Sequence, residues 1–231
     1  MVSYDEYNDD LFVTTKSSPD GDFAKWLQEM IDRKFSPETK EKIKTYCKDN
    51  DVTFVFECVD MIHDPHIIEY SESELFLLSI VKNDINFSQM EYDQLLNIGN
   101  NLGLKVKEKA FEIKDWADFV DWYNEVLAED YEYNGRKIEG FVIEDAKGYM
   151  TKLKLSYYSF WKWMRSLAHE VLRKGFYKRT GALTTPLANE FYAFCQELYN
   201  ATDKEKRELI PRDIISLRRD FYSWREHSQF G

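Results

Sequence analysis

Residues 139–143 read Glu139-Gly140-Phe141-Val142-Ile143, and residues 152–155 read Lys152-Leu153-Lys154-Leu155. Between them lies Asp145-Ala146-Lys147-Gly148, a combination that favours a tight turn. Apolar and polar residues alternate on both sides, so 138–143 and 149–155 are expected to pair as a β-hairpin. Alternation puts Lys152 and Lys154 on one face and Leu153 and Leu155 on the other. The same rule groups the Glu139 carboxylate with Phe141 and Ile143. Two ammonium groups one pleat repeat apart repel each other unless an anion lies between them, and a phosphate suits that position. An exposed edge hairpin with snorkelling lysines is the plainer alternative.

Outward from this hairpin the character of the chain differs in the two directions. Upstream, strand and helix patterns mix. Residues 11–15, 52–59, 74–82 and 105–113 read as strands, and 22 to about 46 reads as two helices divided at Pro37. Ser88 is expected to cap a helix that Gly103 ends, and 115–128 reads as an amphipathic helix. Downstream of Tyr157 the spacing is helical throughout. Phe160, Met164, Leu167, Ala168 and Val171 mark one helix, while Pro186 and Pro211 open two more. The reading is α+β, with a mixed domain over 1–156 and a helical domain over 157–231.

Charge follows the same division. Residues 152–231 hold 15 Lys and Arg against 9 Asp and Glu, or +6; residues 1–151 hold 16 against 33, or −17. A polyanion is therefore expected to dock on the C-terminal third, where Arg173, Lys174, Lys178 and Arg179 form the densest phosphate-contact patch. Tyr157, Tyr158, Trp161 and Trp163 beside Lys162 and Arg165 suit either base stacking or a helical core. His63-Asp64-Pro65-His66 lacks further metal ligands in sequence and reads as structural. Glu57, in Thr53-Phe54-Val55-Phe56-Glu57-Cys58, is placed by alternation with Val55 and Val59. A carboxylate on an apolar face needs a partner, either a ligand hydroxyl or an ion pair. No apolar run approaches the length of a membrane span, and the acidic start MVSYDEYNDD is unlike a secretory signal. Three scattered cysteines, Cys47, Cys58 and Cys195, fit a reducing cytoplasm.

In this order the segments resemble the phage-type RNA ligase family of the covalent nucleotidyltransferase superfamily. Phe12-Val13-Thr14-Thr15-Lys16-Ser17 resembles motif Ia, and Phe54-Val55-Phe56-Glu57 resembles motif III. Asp64-Pro65-His66-Ile67-Ile68-Glu69-Tyr70 resembles the segment that follows motif III, and 75–81 resembles the strand of motif IIIa. Glu139-Gly140-Phe141-Val142-Ile143 is similar to motif IV and Lys152-Leu153-Lys154 to motif V. The resemblance covers about residues 8–160 and is loose over the C-terminal helices.

What the resemblance implies is specific. The fold would be a nucleotidyltransferase-type antiparallel sheet core with helices, followed by an all-helical C-terminal domain. The chemistry would be ATP-dependent sealing of RNA, tRNA breaks among the substrates, with Mg²⁺. Glu57 would hold the adenosine ribose, Phe76 would pack on adenine, and Lys16 would reach the phosphate side of the pocket. Lys152 and Lys154 would contact the AMP α-phosphate, and Glu139 would bind Mg²⁺. One motif departs from the pattern. The family's Lys-x-Asp-Gly, whose lysine takes up AMP, should precede motif Ia, which here begins at Leu11–Phe12. Lys16-Ser17-Ser18-Pro19-Asp20-Gly21 places Asp-Gly two residues too late for that role. The expectation is a truncated or split ligase that needs an N-terminal ligase chain for the nucleophile. A non-catalytic RNA-binding remnant is the alternative, and a gene start lying further upstream is the third explanation.

Overall fold

A computed structural model describes residues 1–64, 66–179, 181, 183–202 and 213–228. The chain forms two compact units, one of residues 1–64 and 70–112 and one of residues 65–69 and 113–231.

The first unit is built on a five-stranded sheet. In chain order it contains β1 (Val2–Asp5), β2 (Asp10–Val13), α1 (Asp22–Lys34), α2 (Pro37–Asn50), β3 (Val52–Val59), β4 (Glu74–Lys82), α3 (Tyr92–Leu102) and β5 (Lys105–Val106). The strand order is β2-β1-β3-β4-β5, antiparallel except for the final pair, where β5 runs parallel to β4. Leu27, Met30 and Ile31 of α1, Ile43 and Cys47 of α2, and Leu95 of α3 pack with Phe54, Phe56, Leu75, Leu77 and Ile80. One sheet face is thus covered by helices. α2 starts where Ser36 accepts a hydrogen bond from the Thr39 amide at 3.1 Å with Pro37 next in line, a combination that satisfies one otherwise free amide.

The expected strands 52–59 and 74–82 are present with those bounds. Three details differ from the sequence reading. Strand β1, whose residues are mostly polar, owes its conformation to pairing with β2 and β3. The helix expected from Ser88 begins instead at Tyr92, because the backbone at 88–90 bonds along β4: Lys82 N to Ser88 O and Met90 N to Ile80 O, both 2.9 Å. The strand expected over 105–113 is confined to Lys105–Val106.

The second unit holds α4 (Trp116–Val126), β6 (Gly140–Glu144), β7 (Met150–Lys154), α5 (Ser156–Lys174), α6 (Pro186–Ala201) and α7 (Ile214–Ser228). The helix start expected at Pro211 lies outside the described residues. Two cores form here. Trp161, Met164, Leu167, Ala168 and Val171 of α5 pack with Phe191, Cys195, Leu217 and Phe221, and Ile67 joins them. Trp161 is 1% exposed, so core is its role rather than base stacking. The smaller core sets Leu153 and Leu155 against Val126, with Trp122, Phe141 and Ile143 around them. Among the described residues, no helix is long and apolar enough to cross a membrane.

Candidate functional site

The β6–β7 hairpin owes its register to the Asp145 turn. The Asp145 carboxylate accepts from the Lys147 amide at 2.8 Å and the Tyr149 amide at 2.9 Å, while Gly148 N donates to Asp145 O at 2.9 Å. Gly148 has φ +79°, a conformation that glycine adopts without strain. The resulting pairs are Gly140↔Lys154, Phe141↔Leu153, Val142↔Lys152, Ile143↔Thr151 and Glu144↔Met150. Leu153 and Phe141 therefore face the small core, and Lys152 faces outward with the exposed Val142. The expected division of the two lysines from the two leucines is what the structure has.

Glu139 departs from the alternation. It lies just outside β6, after which Gly140 takes φ +151°, so its face cannot be counted from Phe141 and Ile143. Its carboxylate forms an ion pair with the Lys154 ammonium instead. Glycine is required at 140 on steric grounds: an added Cβ would lie 1.9 Å from Leu153 O. The close approach brings β6 and β7 together at the point where Glu139 meets Lys154. Lys154 also stands 4.9 Å from the centre of the Tyr158 ring, and Lys162 stands 5.6 Å from the same ring. This cation–π platform was not part of the sequence reading, although the i, i+4, i+8 spacing of Lys154, Tyr158 and Lys162 carries the signal. Lys152 is exposed and makes no ion pair among the described residues.

The hairpin thus offers one ammonium already matched by a carboxylate and one unmatched ammonium on the open face. Such a set can take a phosphate on Lys152 and exchange Glu139 for phosphate on Lys154. Among the described residues, no cluster of three or more His, Cys, Asp or Glu could hold a metal ion. A lone carboxylate beside two lysines fits Mg²⁺, which binds through one or two carboxylates together with substrate phosphates and water.

In the first unit, Glu57 on β3 pairs with Phe76 on β4, and Phe76 pairs in turn with Lys105 on β5. Cross-strand partners share a face, so a carboxylate, a half-buried aromatic ring and a lysine lie in one row. Glu57 shares its face with half-buried Val55, as alternation places it, and the bulge lies on the partner strand, where Leu78 is skipped between Leu77 and Ser79. Phe54, Phe56 and Val59 are buried, and Glu57 is exposed. Lys105 is held by Glu74 and by Glu72, the latter at 3.4 Å. Burial pushes the Glu74 carboxyl upward, but hydrogen bonds from Lys105, the Leu75 amide and Lys34 outweigh it and hold the group below the usual glutamate range. Lys16 is exposed in the turn after β2, where the Thr15 hydroxyl accepts from the amides of Ser17 at 3.3 Å and Ser18 at 3.2 Å.

His63 Nδ1 lies 2.7 Å from Asp60 Oδ2, and its ring stacks on Trp26 at 4.9 Å. The basic cluster is exposed as expected. Arg173 and Lys174 occupy the last turn of α5, Lys178 and Arg179 follow it, and Lys174 is paired with Glu170 at 3.2 Å.

A family model described as RNA ligase, of the T4 RNA ligase 1 type, matches residues 1–158, which includes every candidate nucleotide-handling residue named above. A tRNA ligase of Candida albicans is 31% identical over 109 residues, covering 45% of this chain. That match spans only 13% of the Candida protein's length. The family match extends over well more than half of the sequence, and this chain belongs to the RNA ligase family.

Proposed function

We propose that this chain carries the nucleotide- and phosphate-handling machinery of an ATP-dependent RNA ligase. The observation that carries the reading is the hairpin, where Glu139 is joined to Lys154 and Lys152 stands free on the same strand's exposed side. In the sealing step, the 3′-hydroxyl oxygen of one RNA end attacks the 5′-phosphorus of an adenylylated end. A new phosphodiester forms, the pyrophosphate bond breaks, and AMP leaves with the electron pair. Negative charge grows on the AMP phosphate as it departs, and Lys152 and Lys154 would offset it. Glu57 would accept hydrogen bonds from the adenosine ribose, Phe76 beside it would pack on the adenine, and Lys16 would approach the phosphates. Mg²⁺ bound by Glu139 would add further charge neutralisation. The lysine that takes up AMP from ATP would come from an N-terminal ligase segment or partner chain.

Supplying adenylylated RNA isolates this machinery, because the sealing step does not use the AMP-accepting lysine. The expected outcome is Mg²⁺-dependent joining of adenylylated RNA to a 3′-hydroxyl end, with no lysyl-AMP formed from labelled ATP. Lys152→Ala should slow joining by about 100-fold, the scale of losing one transition-state donor. Absence of joining by the parent chain, under conditions where it binds the adenylylated RNA, would refute the reading. The basic cluster at the end of α5 favours a second reading, an RNA-binding remnant without catalysis. In that case RNA binding would persist in Lys152→Ala and Lys154→Ala, and fall on replacing Arg173 and Lys174.

A further inference from the structure

A second group of cations lies in the same compact unit as the hairpin, and none of it was singled out for phosphate contact above. Arg218 of α7 is only 5% exposed. Its Nη1 donates to Ile67 O at 3.0 Å and its Nη2 pairs with Glu69 at 3.0 Å. The guanidinium centre stands 5.5 Å from the Tyr157 ring and 5.3 Å from the Trp161 ring. The Lys137 ammonium lies 5.6 Å from the Tyr157 ring and donates to Asp130 O at 2.7 Å and Tyr131 O at 3.1 Å. Arg136 closes the turn at 133–136 through its backbone, whereas its exposed side chain has no partner among the described residues. With Ile68, these groups wall a pocket of about 230 Å³.

The lining holds three cations and one carboxylate, Glu69, and Lys137 is also paired at 3.7 Å with Glu132 outside the lining, so the wall itself is electropositive. Glu69 answers the buried guanidinium of Arg218 and Glu132 answers Lys137, which leaves Arg136 as the cation without a carboxylate among the described residues. Small-molecule pockets begin near roughly 300 Å³, so this one suits a single group of a larger ligand. A ring flanked by cations suits the sugar or base next to a phosphate.

We infer that the pocket around Tyr157 receives a phosphate of the RNA strand, with Arg136, Lys137 and Arg218 as its contacts. The identity of the polyanion rests on the ligase reading. The phosphate is either a terminal monoester or an internal diester, and both are recognised by the same charge.

The experiment measures binding of short single-stranded RNAs by fluorescence anisotropy across a salt series. The RNAs carry a 5′-phosphate, a 3′-phosphate or neither, and inorganic phosphate serves as competitor. The variant Arg136→Gln/Lys137→Gln should weaken binding at least tenfold and reduce the salt slope by roughly 1.4, from two contacts at about 0.7 each on a single strand. If the ligand is a terminal monoester, the loss is confined to RNA bearing that end and inorganic phosphate competes. If it is an internal diester, all three RNAs lose affinity alike and inorganic phosphate does not compete. Unchanged affinity and slope in a variant whose melting temperature matches the parent would overturn the inference, and Tyr157→Leu provides an independent arm with the same expected loss. Lys152→Ala separates the two readings. Sealing that fails in the parent while Arg136→Gln/Lys137→Gln still weakens RNA binding removes the ligase reading and leaves the pocket standing.

Discussion

Replacing Gly140 by alanine should open the hairpin that carries Lys152 and Lys154. The added Cβ would stand 1.9 Å from Leu153 O, 2.9 Å from Leu153 C and 3.0 Å from the Lys154 Cα. All three are backbone atoms, so no side-chain rotation relieves the contact, and β7 must move by more than an ångström. That movement breaks the Gly140↔Lys154 pairing and the bond from Leu155 N to Glu139 O, now 3.1 Å. One backbone hydrogen bond at about 0.5–1.5 kcal/mol, with backbone strain of about 1–3 kcal/mol for alanine at φ +151°, gives a loss of roughly 1.5–4.5 kcal/mol. Leu153, 8% exposed, would leave its contacts with Val126 as well. Urea unfolding followed by near-ultraviolet absorption, together with amide exchange at 153–155, measures the loss. Joining of adenylylated RNA should fall in parallel, because the Glu139–Lys154 pair is disrupted. A midpoint corresponding to less than about 1 kcal/mol of destabilisation, with normal protection at Leu155, would refute the steric argument.

Lys152→Ala should leave stability within about 0.5 kcal/mol of the parent, since the side chain is exposed and unpaired among the described residues; a thermal melt checks this before its effect on joining is read. Glu74→Gln should destabilise the first unit at neutral pH and have little effect in acid. The Glu74 pKa is lowered in the folded chain, so its stabilising contribution is present above the ordinary glutamate value of about 4.3 and is lost as pH falls through the lowered one. Urea midpoints of both proteins at several pH values should converge toward low pH, and parallel curves would contradict this. The Cys47 and Cys195 thiols are pushed up to about 12 and Cys58 to about 11, in each case chiefly by burial. Alkylation at pH 8 should therefore be slow in the folded protein and fast in urea, with the half-buried Cys58 reacting first. Rapid labelling of Cys195 in buffer would contradict its place in the helical core.

Local pattern made the hairpin legible before any coordinates. Alternation and the Asp145–Gly148 turn act within a few residues, so the sequence contains the whole of their cause. The central strands of the first unit were legible for the same reason, being apolar and bounded by turns. Features that depend on distant segments were not. Strand β1 is polar and becomes a strand through β2 and β3. The segment 88–90 has a good helix-capping serine, but β4 claims its backbone. Glu57 lies on the sheet face opposite the buried Phe54 and Phe56, and which face the helices cover is decided by segments far from it. The Arg218 pocket depends on contacts 151 and 149 residues apart in sequence, beyond the reach of any local spacing rule.

The Glu139–Lys154 pair bears on how the proposed site would be used. Each side chain is 37% exposed, and an ion pair this open contributes only about 0–1 kcal/mol. A phosphate entering beside Lys152 would meet a second ammonium whose present partner is easily displaced, because an ion pair this exposed holds it only weakly. Displacement frees Glu139 at the moment a phosphate arrives, and a free carboxylate beside phosphate oxygens is what Mg²⁺ coordination requires. Lysine alone in this position would leave two like charges one pleat repeat apart in the empty site. In the proposed site, glutamate at 139 would therefore do two jobs in sequence: neutralise Lys154 before the nucleotide binds and serve as a metal ligand afterwards. Glu139→Gln separates them. It should preserve the hairpin, since the amide can still accept from Lys154, and it should weaken the Mg²⁺ dependence of joining. A variant with the parental Mg²⁺ requirement would show that Glu139 acts on Lys154 alone.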